Sequence, residues 1–142
     1  WVMMEHTTKG GEPKIVPLSM APEFGVSNQD TDPRGLPLLD AKGDKAGTIR
    51  DLWIDRGEMN FRYLEAEVST AAAGLRRVLV PMPFASVARD GVTVRALSAE
   101  QFAGVPATRA TDRVTLLEEE RITAYYGAGT LYADPSRAES MV

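Results

Sequence analysis

The sequence predicts a mainly β protein: a small antiparallel barrel, with an extended N-terminal arm and one C-terminal α-helix. Three observations carry that prediction. Short runs with a two-residue apolar period recur between turn-forming clusters, no long helical pattern separates them, and a lone capping-box signature stands near the end of the chain. Strands arranged this way, without intervening helices, favour a barrel or sandwich over a βαβ sheet.

Residues 1–34 are polar, rich in Gly and Pro and without sustained periodicity, which predicts an arm that lies over another surface. Only Ile15 to Met20 reads as a strand there. From Gly35 the pattern changes, and 35–142 is read as the folded domain. Leu36-Pro37-Leu38-Leu39 leads through the turn composition Asp40-Ala41-Lys42-Gly43 into Ala46 to Asp55, a hairpin signal. In the second limb Leu52 and Ile54 are expected on one face and Trp53 and Asp55 on the other. A third strand, about Phe61 to Val68, places Leu64, Ala66 and Val68 on a core face and Tyr63, Glu65 and Glu67 on an acid-bearing one. Arg76 to Val80 is a fourth. Val87 and Val92 to Val94 bracket Ala88-Arg89-Asp90-Gly91, where Gly91 is expected to supply a positive φ.

Thr115 followed by Glu118 is a capping box, predicting a helix over about 116–126 with Gly127 as its stop. Ser98 to Ala103 reads as one helical turn before Pro106. Ile122, Tyr125 and Tyr126 share a helix face, and aromatics so spaced are more often core than interface.

Composition excludes several functions. A net charge of −4 with mixed signs offers no basic stripe for nucleic acid. With no cysteine there are no disulfides or thiolate metal sites, and a reducing compartment is the natural setting. No apolar run approaches the roughly 20 residues of a spanning helix. The chain begins at Trp1 without the features of a signal peptide, and is read as part of something longer. His6, the sole histidine, lies in the irregular arm, a poor place for a catalytic relay or a metal site. Gly127-Ala128-Gly129 follows a helix rather than opening one, the wrong context for phosphate. A hydrolase is disfavoured because no nucleophile and base pair up.

The constellation with chemical content is Asp55-Arg56-Gly57-Glu58-Met59-Asn60-Phe61-Arg62, with Glu65 and Glu67 just beyond. Clustered carboxylates raise one another's pKa while an interleaved arginine holds some ionised, a composition suited to passing protons. The bland alternative is a strand-to-strand turn charged simply to stay in water. Glu118-Glu119-Glu120 is equally explained by the helix dipole. Arg76-Arg77 could meet anionic headgroups, at only about 1 kcal/mol per charge.

Six segments, in order, resemble the H subunit family of purple-bacterial photosynthetic reaction centres. They are Asp32-Pro33-Arg34-Gly35-Leu36-Pro37, Asp51-Leu52-Trp53-Ile54-Asp55-Arg56, Phe61-Arg62-Tyr63-Leu64-Glu65, Gln101-Phe102-Ala103-Gly104-Val105-Pro106, Val114-Thr115-Leu116-Leu117-Glu118-Glu119, and Ala124-Tyr125-Tyr126-Gly127-Ala128-Gly129-Thr130-Leu131-Tyr132-Ala133. The resemblance runs from about Lys14 onward. It implies a PRC-type β-barrel on the cytoplasmic face of the photosynthetic membrane, preceded in the family by an N-terminal transmembrane segment missing from this sequence. It also implies a non-enzymatic cap on the L and M subunits at the quinone side. A cytochrome subunit, light-harvesting antenna and lipid headgroups are further implied neighbours. Bacteriochlorophyll, bacteriopheophytin, quinones and non-haem iron are implied in L and M, none bound by this chain.

By resemblance, protons reach the secondary quinone through Glu58 as innermost acid, Asp55 beside it, Arg62 as the tuning cation and Glu119 in an outer network. Histidines that some members carry at the uptake point are missing from Thr8 to Pro13, leaving Glu5, His6, Glu12 or another subunit for that role. The competing reading is a stand-alone PRC-barrel adaptor for ribosome assembly or another protein partner.

Overall fold

The structure, a computed structural model, describes residues 13–27, 30–71 and 74–132. The strands are β1 (Ile15–Pro17), β2 (Pro37–Leu39), β3 (Lys45–Asp55), β4 (Asn60–Thr70), β5 (Gly74–Pro81), β6 (Ala85–Ala88) and β7 (Gly91–Val94), followed by one helix, α1 (Leu116–Tyr132). They form one sheet in the order β5-β4-β3-β2-β7-β6, with β1 also paired to β3. The sheet curls into a half-barrel, and the mainly β reading is correct.

The long β3–β4 hairpin is the spine. Its two 11-residue strands pair from Gly47↔Val68 to Asp55↔Asn60, with register shifts at Ile49/Asp51 and Trp53/Ile54. Such shifts bend a strand and increase its twist. The first half of β3 pairs with β2 and its last residues with β1, so β3 serves different neighbours along its length. Gly47 permits the close strand approach, since a Cβ there would overlap the Glu67 carbonyl oxygen.

Leu64, Ala66 and Val68 are buried as predicted, and Val78 and Val80 of β5 stand opposite Ala66 and Leu64. Each such aliphatic side chain contributes roughly 1.5–3 kcal/mol by leaving water. The predicted acid-bearing face departs from expectation. Tyr63 is buried on it, Trp53 is 1% exposed, and the Trp53 indole donates to Glu65 at 2.9 Å. Residues 106–111 lie along a cleft lined by Trp53, Glu65, Arg77 and Leu79, so this face is covered in part. Both Trp53 and Asp55 are therefore buried, as Leu52 and Ile54 are.

Other differences have local causes. The sheet is not wholly antiparallel: β2 runs parallel to β7, through Leu38↔Val92 and Leu39↔Thr93. The β6–β7 hairpin forms as expected, yet Gly91 lies inside β7 and is not among the glycines with positive φ. Its lack of a side chain instead makes room for Leu39, which a Cβ would approach to 3.0 Å. Of the segment 1–34, residues 15–21 belong to this chain's own core, with Ile15, Val16, Leu18 and Ala21 buried and β1 paired to β3. His6, Glu5 and Glu12 lie outside the described residues.

The capping box is present: Glu118 N donates to Thr115 Oγ1 at 3.2 Å and Thr115 N to Glu118 Oε1 at 2.8 Å. The helix does not stop at Gly127 but continues to Tyr132. Gly129 is a packing residue, because a Cβ there would strike Leu97 and the Ala96 carbonyl. Tyr126 is core, its hydroxyl donating to Leu79 O at 2.9 Å, and Tyr125 donates to Gln101 O at 2.7 Å. The predicted turn before Pro106 is a 3-10 helix, Ala99–Gly104, capped by Ser98 and Gln101. No helix among the described residues is long and apolar enough to cross a membrane.

Candidate functional site: an ion chain across the hairpin

The β3–β4 turn is organised by one buried carboxylate. Asp55 ends β3 and is 0% exposed, and its Oδ1 accepts from the amides of Gly57 and Glu58 at 2.9 and 3.0 Å. Aspartate suits this position because its short side chain can replace backbone acceptors in a tight turn. Met59 N closes the loop on Asp55 O at 2.8 Å, and Met59 takes φ 59, unusual for a residue with a side chain.

The other oxygen, Oδ2, faces two cations. Arg62 Nη1 donates to it at 3.1 Å and Lys14 Nζ stands 3.6 Å away. The two-residue period would put Asp55 and Arg62 on no obvious common face. The register shift at Trp53/Ile54 and the four-residue loop supply the approach. Lys14 arrives because β1 pairs Ile15 with Asp55, an alignment reinforced by Arg56 N donating to Lys14 O at 2.8 Å and Arg56 Nε to Pro13 O at 3.1 Å.

From Asp55 the chain runs both ways. Lys14 Nζ is 3.9 Å from Glu58 Oε1, at a side chain 62% exposed. Arg62 Nη2 is 3.6 Å from Glu119 Oε1, in the first turn of α1. Glu119 Oε1 also accepts the Tyr63 hydroxyl at 2.7 Å. Burial, reinforced by the neighbouring Glu119 charge, holds the Tyr63 pKa above its ordinary value, so Tyr63 donates rather than ionises. The order along the chain is Glu58, Lys14, Asp55, Arg62, Glu119, Tyr63.

All four sequence-predicted residues thus meet in one constellation. Within this chain Asp55 is the buried acid and Glu58 the exposed one. Glu58 has to follow the turn outward because its own amide is directed into Asp55. Sequence reasoning missed Lys14 and the role of Tyr63. Lys14 could have been found by pairing the Ile15 strand with the Ile54 run; nothing local marks Tyr63, whose period places it among acids.

The remaining charged candidates serve structure. Glu65 and Glu67 are engaged by Arg77, which bridges them, and Arg50 reaches Glu67 at 3.4 Å. Arg76 donates to Ala103 O at 2.7 Å. Among the described residues no group of carboxylates and imidazoles could hold a metal ion.

An alternation of acids and bases with a buried carboxylate at its centre can fix charge within the fold. It can also relay protons where its acids meet solvent or a neighbour, since Glu58 and Glu119 end the carboxylate series on different elements. Residues 26–101 match the PRC-barrel domain. That span holds β2 to β7 and four members of the constellation, Asp55, Glu58, Arg62 and Tyr63, while Lys14 and Glu119 lie outside it. The match covers more than half of the chain, which therefore belongs to the PRC-barrel domain family.

Proposed function

We propose that this chain is the cytoplasmic domain of a photosynthetic reaction-centre H subunit. In this reading it is a non-catalytic cap on the quinone side of the L and M subunits that helps conduct protons to the secondary quinone. The observation that carries the reading is the ion chain centred on Asp55. Beyond organising its turn, buried Asp55 is linked through Arg62 to Glu119 and through Lys14 to exposed Glu58, so a series of acids runs from the turn surface to α1. Two of those links lead to residues outside the matched barrel, which suits a specialised chain. The six-segment resemblance supports the same reading.

Bacteriochlorophyll, bacteriopheophytin, quinones and non-haem iron would belong to L and M, and lipid headgroups would meet the rim of this domain. A cytochrome subunit and antenna complexes would be neighbours in the same membrane. The redox chemistry would be theirs; this chain would supply positioned carboxylates.

The test is co-purification from the native source followed by an absorption spectrum. Bacteriochlorophyll travelling with the chain supports the reading, whereas elution with RNA or ribosomal protein would replace it with the adaptor alternative. Within a pigment-bearing complex, Glu58→Gln should slow proton-coupled transfer of the second electron to the secondary quinone and leave charge separation intact. Unchanged second-electron kinetics would remove the relay and leave only the structural cap.

A further inference from the structure

A second region carries chemistry that the ion chain does not use. A cleft of about 410 Å³ lies between segment 106–109 and the first turns of α1, within the size range of small-ligand sites. Its apolar lining comes from Pro106, Ala107 and Leu117, and its charged lining from Arg109, Glu118 and Arg121. We propose that this cleft binds a phosphate group carried on an apolar body, held by the guanidinium groups of Arg109 and Arg121.

The acid in the lining is already occupied. Glu118 Oε1 accepts from Thr115 N at 2.8 Å and Oε2 from Arg109 N at 2.5 Å, so the carboxylate is spent on the helix cap and on pinning the loop. The two arginines make no side-chain hydrogen bond or ion pair among the described residues, and unlike Arg89 and Arg95, which also make none, they line one cleft together; Arg34, Arg50, Arg62, Arg76 and Arg77 are all engaged. Arg121 follows Leu117 by one helical turn, so the helix presents an apolar and a cationic group on the same face. The backbone of Arg109 is held opposite by the hydrogen bond its N–H donates to Glu118 Oε2.

Two planar forks beside an apolar floor match a phosphate better than a carboxylate. A phosphate monoester, with three terminal oxygens and up to two negative charges, matches two guanidiniums more fully than a carboxylate with two oxygens and one charge. In a protein of net charge −4, a lining of two arginines and one internally engaged glutamate keeps a local positive balance, which favours an anion there. The phosphate could belong to a soluble ester or to a lipid headgroup. The inference holds for either source and does not rest on the reaction-centre reading.

The experiment uses the full chain with two probes: phenyl phosphate by titration calorimetry, and flotation with phosphatidylcholine vesicles with or without phosphatidylglycerol. Binding to phenyl phosphate without flotation assigns a soluble ester; flotation requiring phosphatidylglycerol assigns a headgroup. In either case Arg109→Ala and Arg121→Ala should each weaken binding about tenfold or more. Arg89→Ala, an exposed control on the β6–β7 turn, should leave it unchanged. The proposal is overturned if neither probe binds, if phosphatidylcholine alone binds equally, if both cleft variants bind like the parent, or if the control weakens binding to the same degree. Circular dichroism of each variant establishes that the exposed substitutions leave the fold in place.

Discussion

The Tyr63 hydroxyl donates to Glu119 Oε1 at 2.7 Å, so β4 and the first turn of α1 share one buried hydrogen bond. Removing the donor leaves a largely buried carboxylate with one fewer partner, a change that costs about 1–3 kcal/mol. Tyr63→Phe should lower stability by that amount in urea unfolding. A loss under about 0.5 kcal/mol would mean that solvent replaces the hydroxyl.

Burial raises the pKa values of both Tyr63 and Tyr126. Their folded forms keep the proton where unfolded tyrosine, with a pKa of about 10, has lost it. The unfolded state then binds fewer protons, so stability is unaffected by these groups below about pH 10 and falls as pH rises beyond it. The slope approaches about 1.4 kcal/mol per pH unit for each tyrosine. Titration of phenolate absorbance should show both hydroxyls silent at about pH 11 until the protein unfolds, and Tyr63→Phe should remove part of the alkaline slope.

Asp55→Asn preserves an oxygen for the Gly57 and Glu58 amides but removes the charge facing Arg62 and Lys14. Stranding the cations beside a buried neutral group should cost about 3 kcal/mol, read as a lower urea midpoint. Pairing Asp55→Asn with Arg62→Gln should recover part of the loss, and strict additivity of the two variants would show that the pair does not interact.

Met59 occupies φ 59 at the tip of the hairpin and is exposed. Asn tolerates that conformation and a β-branched side chain resists it. Met59→Asn should therefore be neutral or stabilising by up to about 1 kcal/mol, and Met59→Val destabilising by about 1–2 kcal/mol. Thermal unfolding of the two variants gives the comparison, and equal midpoints would exclude strain.

Two glycines in α1 should respond oppositely to alanine. Nothing lies within 4 Å of a Cβ at Gly127, so Gly127→Ala should stabilise by about 0.5–1 kcal/mol through helix propensity alone. At Gly129 the new methyl would collide with Leu97 and the Ala96 carbonyl, and Gly129→Ala should destabilise by about 1–3 kcal/mol. Melting temperatures moving in the same direction would refute this packing argument.

These glycines also show what could be read in advance. Turn and cap chemistry is local, so the Asp40 turn, the Thr115–Glu118 box and the Ser98 turn were legible from neighbouring residues. Gly91 makes room for Leu39, yet a glycine that permits close approach looks, in sequence, like one required by a turn; Gly127 lies exposed within α1, where a tolerated glycine looks like one that ends the helix. Tyr63 was placed among acids by its period, but its burial depends on a helix that begins at Leu116. The four acid and base candidates were legible as types. Their linkage and burial were not, because these depend on where β1 delivers Lys14 and on the outward course of the turn at Glu58.

The strand and the helix flanking the matched barrel each fasten to the same hairpin, one by Lys14 and the other by Glu119. A piece trimmed to the boundaries of the matched domain would keep six of its strands yet strip the counter-ion from one face of Asp55 and the acceptor from Tyr63. The packed core thus extends beyond the family's barrel, and ion pairs add to an apolar clasp in which Ile15, Leu18, Ile122 and Tyr126 are buried.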